Sequence, residues 1–269
     1  MELREVNKPD YNLIKAKKRR RRKKRAAVFA VFFVLILIIA AAVACFTVLF
    51  PINTVSVSGN NTYSTEEILA VCGIDKGDKL FSVFENKTEK VITTCLPYVK
   101  TVKLKKVLPD KLEIKVTETT AQFAFFANDV YYLADEDFKV LEKTESVPEN
   151  VTRITLPQAI EPEIAKTIDK NTREIALVSK TYELLKQYDI SVNSITISGY
   201  DLIKAVINGR FSVNFGNENE LSGKIAHLSG MLGEIDKKNG QDCTGKIDLT
   251  AWSNTKREGY FEITGNFEN

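Results

Sequence analysis

The sequence predicts an α+β protein: a single N-terminal transmembrane helix, then a small domain of order β-α-α-β-β, then a mixed β domain carrying two amphipathic helices. Three observations predict it. Nine consecutive basic residues, Lys17 to Arg25, run into an uncharged apolar block from Ala26 to Phe50. Residues 51–120 switch from alternating to helical periodicity and back again. From Ala121 onward short alternating segments separated by polar turns dominate, interrupted by two stretches with apolar residues three and four apart.

The apolar block sets the sidedness. At about 1.5 Å per residue a helix over Ala26–Phe50 reaches roughly 37 Å, enough to cross a hydrocarbon core of about 30 Å with some tilt. Lipid offers no partner for backbone N–H or C=O groups, so a lone segment crosses only as a helix. Lys and Arg beside a span are held in the cytoplasm. The expected layout is therefore a cytoplasmic basic tail over 1–25, a transmembrane helix over 26–50, and two exported domains over 51–120 and 121–269: a single-pass type II protein of the cell membrane. Residues 1–16, polar and with Pro9, are expected to be disordered.

Two other fates compete for the block. Ala42-Val43-Ala44 would serve as a signal-peptidase site, but the uncharged run before it exceeds the apolar region of about 7–15 residues that such peptides carry. Cys45 after Val43-Ala44 loosely matches a lipoprotein box that lacks its usual Leu at Ala42. The basic run would also suit nucleic acid in a soluble chain; beside a span it more simply holds topology and meets anionic lipid headgroups.

Charge supports that division. The net charge of +3 hides 12 Lys or Arg against 3 Asp or Glu in residues 1–25, which leaves 26 against 32 in the rest. A net-acidic exported part argues against nucleic acid as partner. Cys72 and Cys95 each end a predicted helix and could in principle pair, but a chain of 269 residues can build a core without a staple, and free, buried cysteines are the simpler expectation.

Ile52 to Asn60 alternates apolar and polar residues before a Gly-Asn turn, as a half-buried strand does. Ser64 with Glu67 forms a capping box opening a short helix that Gly73 stops. After the turn Gly77 to Phe81, a second helix runs from Glu85 to Leu96 and ends at Pro97. Tyr98 to Val107 alternates, with Val99 and Thr101 expected opposite Val102 and Leu104. Leu108 to Lys111 turns, and Leu112, Ile114 and Val116 face one side of a third strand.

At these spacings, Val55-Ser56-Val57-Ser58-Gly59-Asn60, Glu67-Ile68, Gly77-Asp78-Lys79-Leu80-Phe81, Leu96-Pro97-Tyr98-Val99 and the run from Leu108 to Glu118 resemble the POTRA domain of the bacterial cell-division proteins FtsQ and DivIB. The likeness covers about residues 15–265. It departs after Glu118, where the family often has a basic residue and soon a proline and this chain has Thr119-Thr120-Ala121. The resemblance implies a non-enzymatic divisome scaffold at the septum. Its partners would be FtsL-like and FtsB- or DivIC-like bitopic proteins, and it would help control septal peptidoglycan synthesis.

In the second domain strands are expected over Gln122–Ala127, Val130–Ala134, Phe138–Leu141 and Val151–Leu156. The family usually has glycine where Phe138 stands. A helix between Asn171 and Tyr188 places Ile175, Val178, Tyr182 and Leu185 on one face. Strands Val192–Ile197, Leu202–Ile207 and Phe211–Phe215 follow, the last two joined by Asn208-Gly209, a hairpin signal because both turn positions need positive φ. Glu218 to Ile235 carries Leu221, Ile225, Leu228, Leu232 and Ile235 on one face. Lys246–Ala251 and Tyr260–Thr264 are the last two strands.

Chemistry is thinly represented. His227 is the only histidine and sits among polar helix positions. Ser253-Asn254-Thr255-Lys256 matches the S-x-x-K box of penicillin-interacting enzymes, with Ser191-Val192-Asn193 as a conceivable second box, but the K-T-G box is missing and Ser253 falls in a turn rather than opening a helix. A membrane-tethered wall enzyme is thus one alternative. A POTRA-type secretion or assembly factor is another, lacking the tandem repeats or barrel it needs. No Cys or His grouping has metal spacing and no cofactor loop appears. Recognition remains. An edge strand offers unpaired N–H and C=O groups to another chain, and the terminal hairpin carries Trp252, Tyr260, Phe261, Glu262 and Ile263 with few residues left to cover them. Packing into the domain's own core is the competing reading. The family resemblance favours these five as the partner-binding residues, because the terminal strands of FtsQ and DivIB dock their bitopic partners.

Overall fold

The structure, a computed structural model, describes residues 11–199 and 202–264, with side chains of 11–23 and 45–49 outside that description. Helix α1 runs over Tyr11–Leu49 and contains Lys24–Ala44, long and apolar enough to cross a membrane. Residues 11–16, expected to be disordered, are helical. Lys, Arg and Leu are good helix formers, and extending an existing helix avoids a new nucleation cost. The remainder of the predicted disordered tail lies outside the described residues.

The order β-α-α-β-β follows: β1 (Thr54–Ser58), α2 (Thr65–Cys72), α3 (Glu85–Cys95), β2 (Val99–Val107) and β3 (Lys111–Glu118), the strands forming a sheet of order β1-β3-β2. The capping box is present, with Glu67 N–H donating to Ser64 Oγ at 3.2 Å and Ser64 N–H to Glu67 Oε2 at 2.7 Å. Gly73 closes α2 in the left-handed conformation that a side chain disfavours.

The chain packs as two units. The first takes in the chain through Ser56, Ile74–Phe84 and Leu104–Ile114, with Ile52, Leu80, Leu112 and Ile114 fully buried. Here β1 begins later than its alternation suggests. Ile52 N–H donates to Asp78 O at 2.7 Å and Ile52 O accepts from Gly77 N–H at 2.8 Å, so a turn takes these groups before a ladder can.

The second unit comprises Val57–Gly73, Glu85–Lys103 and the chain from Lys115. Glu118 accepts the backbone N–H groups of Asn61, Thr62 and Tyr63 at 3.0, 2.8 and 3.4 Å, so the glutamate ending β3 pins the loop before α2. Val99 and Val102 are both buried rather than on opposite faces. Val99 N–H is still held by Leu96 O at 2.9 Å, so its side chain follows the end of α3 rather than the pleat. Cys72, Cys95 and Cys243 are free thiols; Cys95 is exposed rather than buried.

Nine strands then form one sheet: β4 (Phe123–Ala127), β5 (Val130–Ala134), β6 (Val140–Thr144), β7 (Thr152–Thr155), β8 (Val192–Ser198), β9 (Leu202–Ile207), β10 (Phe211–Gly216), β11 (Gly245–Asp248) and β12 (Tyr260–Ile263). Their order is β12-β11-β10-β9-β8-β7-β4-β5-β6. Strand β7 runs parallel to β4 and β8, and β10 parallel to β11; the other pairs are antiparallel. Asn208 and Gly209 take φ of 52° and 63°, as the hairpin requires. Helices α4 (Arg173–Gln187) and α5 (Leu221–Asn239) contribute Ile175, Val178, Leu185, Leu221, Ile225, Leu228, Leu232 and Ile235 to the core shared with β8–β11. The α5 stripe is wholly buried. Tyr182 of α4 is half-buried, its ring edge-on to Phe123 at 4.9 Å.

Two further strands differ from expectation by more than one residue, and α5 runs over Leu221–Asn239 rather than Glu218–Ile235. β6 starts at Val140 because Phe138 has φ of 61° and belongs to the turn. β11 ends at Asp248 because the Asp248 carboxylate accepts Thr250 N–H and Oγ1 at 2.8 and 2.6 Å, turning the chain.

Candidate partner-binding edge

Strand β12 is the last strand at one end of the sheet, paired on its inner side with β11 in the register Lys246↔Glu262 and Asp248↔Tyr260. Thr264 N–H donates to Thr244 O at 3.2 Å, and an antiparallel ladder alternates. Tyr260, Glu262 and Thr264 therefore turn their backbone groups toward β11, while the N–H and C=O of Phe261 and Ile263 point outward. Among the described residues no strand lies beyond them.

Side chains alternate across the same strand. Tyr260 and Ile263 are each 60% exposed and Glu262 is exposed. Phe261 is half-buried, its ring edge-on to Phe211 at 6.0 Å. It lies flat because residue 245 is glycine: a Cβ there would stand 2.4 Å from Phe261 Cε2 and 2.5 Å from Glu262 O. Trp252 is not part of the edge. It is 6% exposed and seats its indole in a notch of α5, where a Cβ on Gly223 would stand 2.2 Å from Trp252 Cη2. Trp252 thus belongs to the core, Phe261 bridges core and edge, and Tyr260, Glu262 and Ile263 face out.

Beside the edge, a groove of about 390 Å³ is lined by Lys204, Ser212, Asn214, Lys246, Asp248 and Tyr260, among others. Sequence reasoning missed Lys204, Lys246 and Asp248. Lys246 and Asp248 pair with Glu262 and Tyr260 across β11 and β12, and Lys204 of β9 reaches the same groove only through the parallel pairing of β10 with β11, which no local signal announces.

The remaining candidates are structural. Ser253 Oγ accepts Lys256 N–H at 3.0 Å and Ser253 N–H donates to Lys256 O at 2.8 Å, so S-x-x-K closes a local turn. His227 stacks obliquely 6.3 Å from Trp252. Lys224, almost fully buried, donates to Phe215 O at 2.7 Å and Asn217 O at 3.0 Å; burial pushes its ammonium below the ordinary lysine range. Among the described residues no group of three or more His, Cys, Asp or Glu is placed to hold a metal.

The elements define a POTRA protein headed by a helix fit to span a membrane and ending in a β-rich module with an open strand edge. The model of the FtsQ-type POTRA domain matches residues 50–119. The chain is 36% identical to the cell division protein DivIB of Bacillus subtilis over 39% of this chain and 38% of that one. It is 26% identical to DivIB of Clostridium botulinum over 75% and 78%, and 26% identical to the cell division protein FtsQ of Syntrophotalea carbinolica over 55% and 53%. Its match therefore spans only part of each relative's length. Among solved structures, the major extracytoplasmic domain of the trans isomer of DivIB from Geobacillus stearothermophilus has 13% identity and a TM-score of 0.29 over 45% of this chain and 98% of that one. Residues 50–119 thus match the FtsQ-type POTRA domain, and over part of its length the chain is similar to the cell-division proteins DivIB and FtsQ.

Proposed function

We propose that the chain is a non-enzymatic scaffold of the divisome that binds FtsL-like and FtsB- or DivIC-like bitopic partners outside the membrane and helps control septal peptidoglycan synthesis. Residues 1–25 lie in the cytoplasm against anionic headgroups, 26–50 span the cell membrane, and a POTRA domain over 51–120 and a β domain over 121–269 stand outside, gathered at the septum. One observation carries this reading: β12 presents the outward N–H and C=O groups of Phe261 and Ile263 between exposed Tyr260 and Ile263 side chains. A partner strand added there makes main-chain bonds, and alternate side chains supply specificity.

The test is co-purification of the detergent-solubilised full chain with an FtsL-like and FtsB-like pair. The wild-type chain retains both. Ile263→Pro removes one outward N–H, leaves the β11 ladder untouched, and loses them. Retention by the proline variant moves the contact elsewhere, and labelling of Ser253 by a fluorescent β-lactam favours a wall enzyme.

A further inference from the structure

We propose that the two turns flanking the exit of α1 form a bilayer-docking face, with Phe84 and Leu108 seated in the interfacial region of the membrane that α1 spans. The proposal rests on α1 being a span. It arises from how the first few residues beyond the helix are held. Leu80 N–H donates to Phe50 O at 3.0 Å, Pro51 bridges Lys79, and the Phe50 and Phe81 rings meet edge-on at 5.6 Å. On the other side, Asn53 and Thr54 N–H donate to Asp110 O at 2.9 and 3.3 Å, and Asn53 Nδ2 donates to Asp110 Oδ2 at 2.9 Å. The chain leaving α1 is thus clasped between turn 77–84 and turn 108–111, and both turns must lie where the span emerges.

Each turn exposes a large apolar side chain there. Phe84 is 65% exposed and Leu108 57%. Scattered apolar residues on a protein surface are ordinary. These two belong to separate turns, and both turns are bonded to residues 50–54. Phe84 follows Leu80 by four positions, and at no more than about 3.6 Å per residue it cannot stand more than roughly 14 Å from the residue bonded to Phe50. Leu108 is two residues from Asp110. The headgroup region is several ångströms deep on each side, and an apolar block of roughly 37 Å overshoots a core of about 30 Å, so the exit residues themselves reach into that region. Lys106 Nζ, 5.6 Å over the Phe81 ring, sets a cation beside the exit, and lysines at an interface keep the ammonium wet while the stem covers apolar surface. Bilayer is therefore the occupant that the geometry supplies without a second protein.

The test uses the full chain in nanodiscs of phosphatidylcholine brominated in its acyl chains. Wild type, with Trp252 as the only tryptophan, sets the baseline. Phe84→Trp and Leu108→Trp each add a fluorophore at an exposed position. Both should show a blue-shifted added emission that bromine quenches beyond the baseline. Incorporated chains whose added tryptophan at either position emits as in water and escapes quenching overturn the docking face. A chain that fails to enter the discs at all overturns instead the reading of α1 as a span.

Discussion

At one end of the nine-stranded sheet the outer side of β6 is crossed by residues 163–168, whereas at the other the outer side of β12 has no neighbour among the described residues. Val140 N–H donates to Lys166 O at 2.9 Å, Ala165 N–H donates to Val140 O at 2.8 Å, and Ile168 N–H donates to Phe138 O at 3.0 Å. Such a strap consumes the groups that would otherwise recruit a foreign strand. Among the described residues no such strap covers β12, where Tyr260 and Ile263 are exposed. The strap holds Ala165 at φ of 66° and is anchored to a turn holding Phe138 at 61°, two residues that disfavour that region. Closing the β6 edge therefore has a conformational cost.

The largest expected effect comes from making the ends alike. Ala165→Pro deletes the bond to Val140 and cannot adopt positive φ, so the β6 edge opens and stability falls by about 3 kcal/mol or more. Thermal unfolding and light scattering of the detergent-solubilised chain measure both, aggregation rising with the opened edge. Ala165→Gly is the control. It relieves about 1–2 kcal/mol of left-handed cost and adds about 0.5–1 kcal/mol of chain entropy, for a change near zero or slightly stabilising. A proline variant as stable as wild type would show that the strap protects nothing.

Phe138→Gly tests the strap's anchor. The buried ring stacks on Phe123 at 4.7 Å with planes 5° apart, and Lys170 Nζ lies 5.8 Å from its centroid. Deleting it costs about 3–5 kcal/mol. The glycine returns about 1–2 kcal/mol of backbone strain. A net loss of about 2–3 kcal/mol is expected in the unfolding midpoint, and a gain would mean that the strain outweighs the aromatic packing.

What was legible in the sequence was local. Ser64 with Glu67, Asn208-Gly209 and the α5 stripe each specify their conformation within a few residues, and each is found as read. The strap was not legible because Glu161 to Ile168 has no alternation to mark a strand and bonds only as single bridges. Phe138 was hidden for a different reason, since an aromatic residue reads as strand, although the family's usual glycine at that position was a signal of positive φ. The site was half legible. Apolar residues placed Tyr260 to Ile263 in a strand, and the sheet order puts that strand at an edge. Trp252 looked like a surface anchor because its pocket is made by Gly223, remote in sequence, and a missing side chain leaves no pattern to read.

At the open end, Ile263→Lys places a charge on the edge without disturbing the β11 ladder. Stability should move by less than about 0.5 kcal/mol, as for an exposed substitution. Partner affinity, measured by titrating the solubilised chain with the FtsL-like and FtsB-like pair, should fall by about 1–2 kcal/mol, more than most interface residues contribute and short of a hot spot. Equal losses of stability and binding would mean that the edge is part of the fold rather than a surface held open.

The smallest effect concerns the charge that ties the strapped end together. Asp137 receives Lys100 at 2.7 Å and Lys170 at 2.8 Å, and hydrogen bonds from the Lys100 and then the Lys170 ammonium hold its carboxyl down at about 2. A carboxyl whose folded pKa lies below its ordinary value adds stability above that ordinary value, and the contribution drains as pH falls toward about 2. The group is half-exposed and solvent screens it, so the contribution at neutral pH is about 0–1 kcal/mol. Asp137→Asn should therefore unfold slightly earlier than wild type at pH 7, with the difference closing between about pH 4 and pH 2 and absent below. A difference that persists at pH 2 would assign the loss to the shape of the turn, and the strap would then depend on Phe138 and the backbone bonds alone.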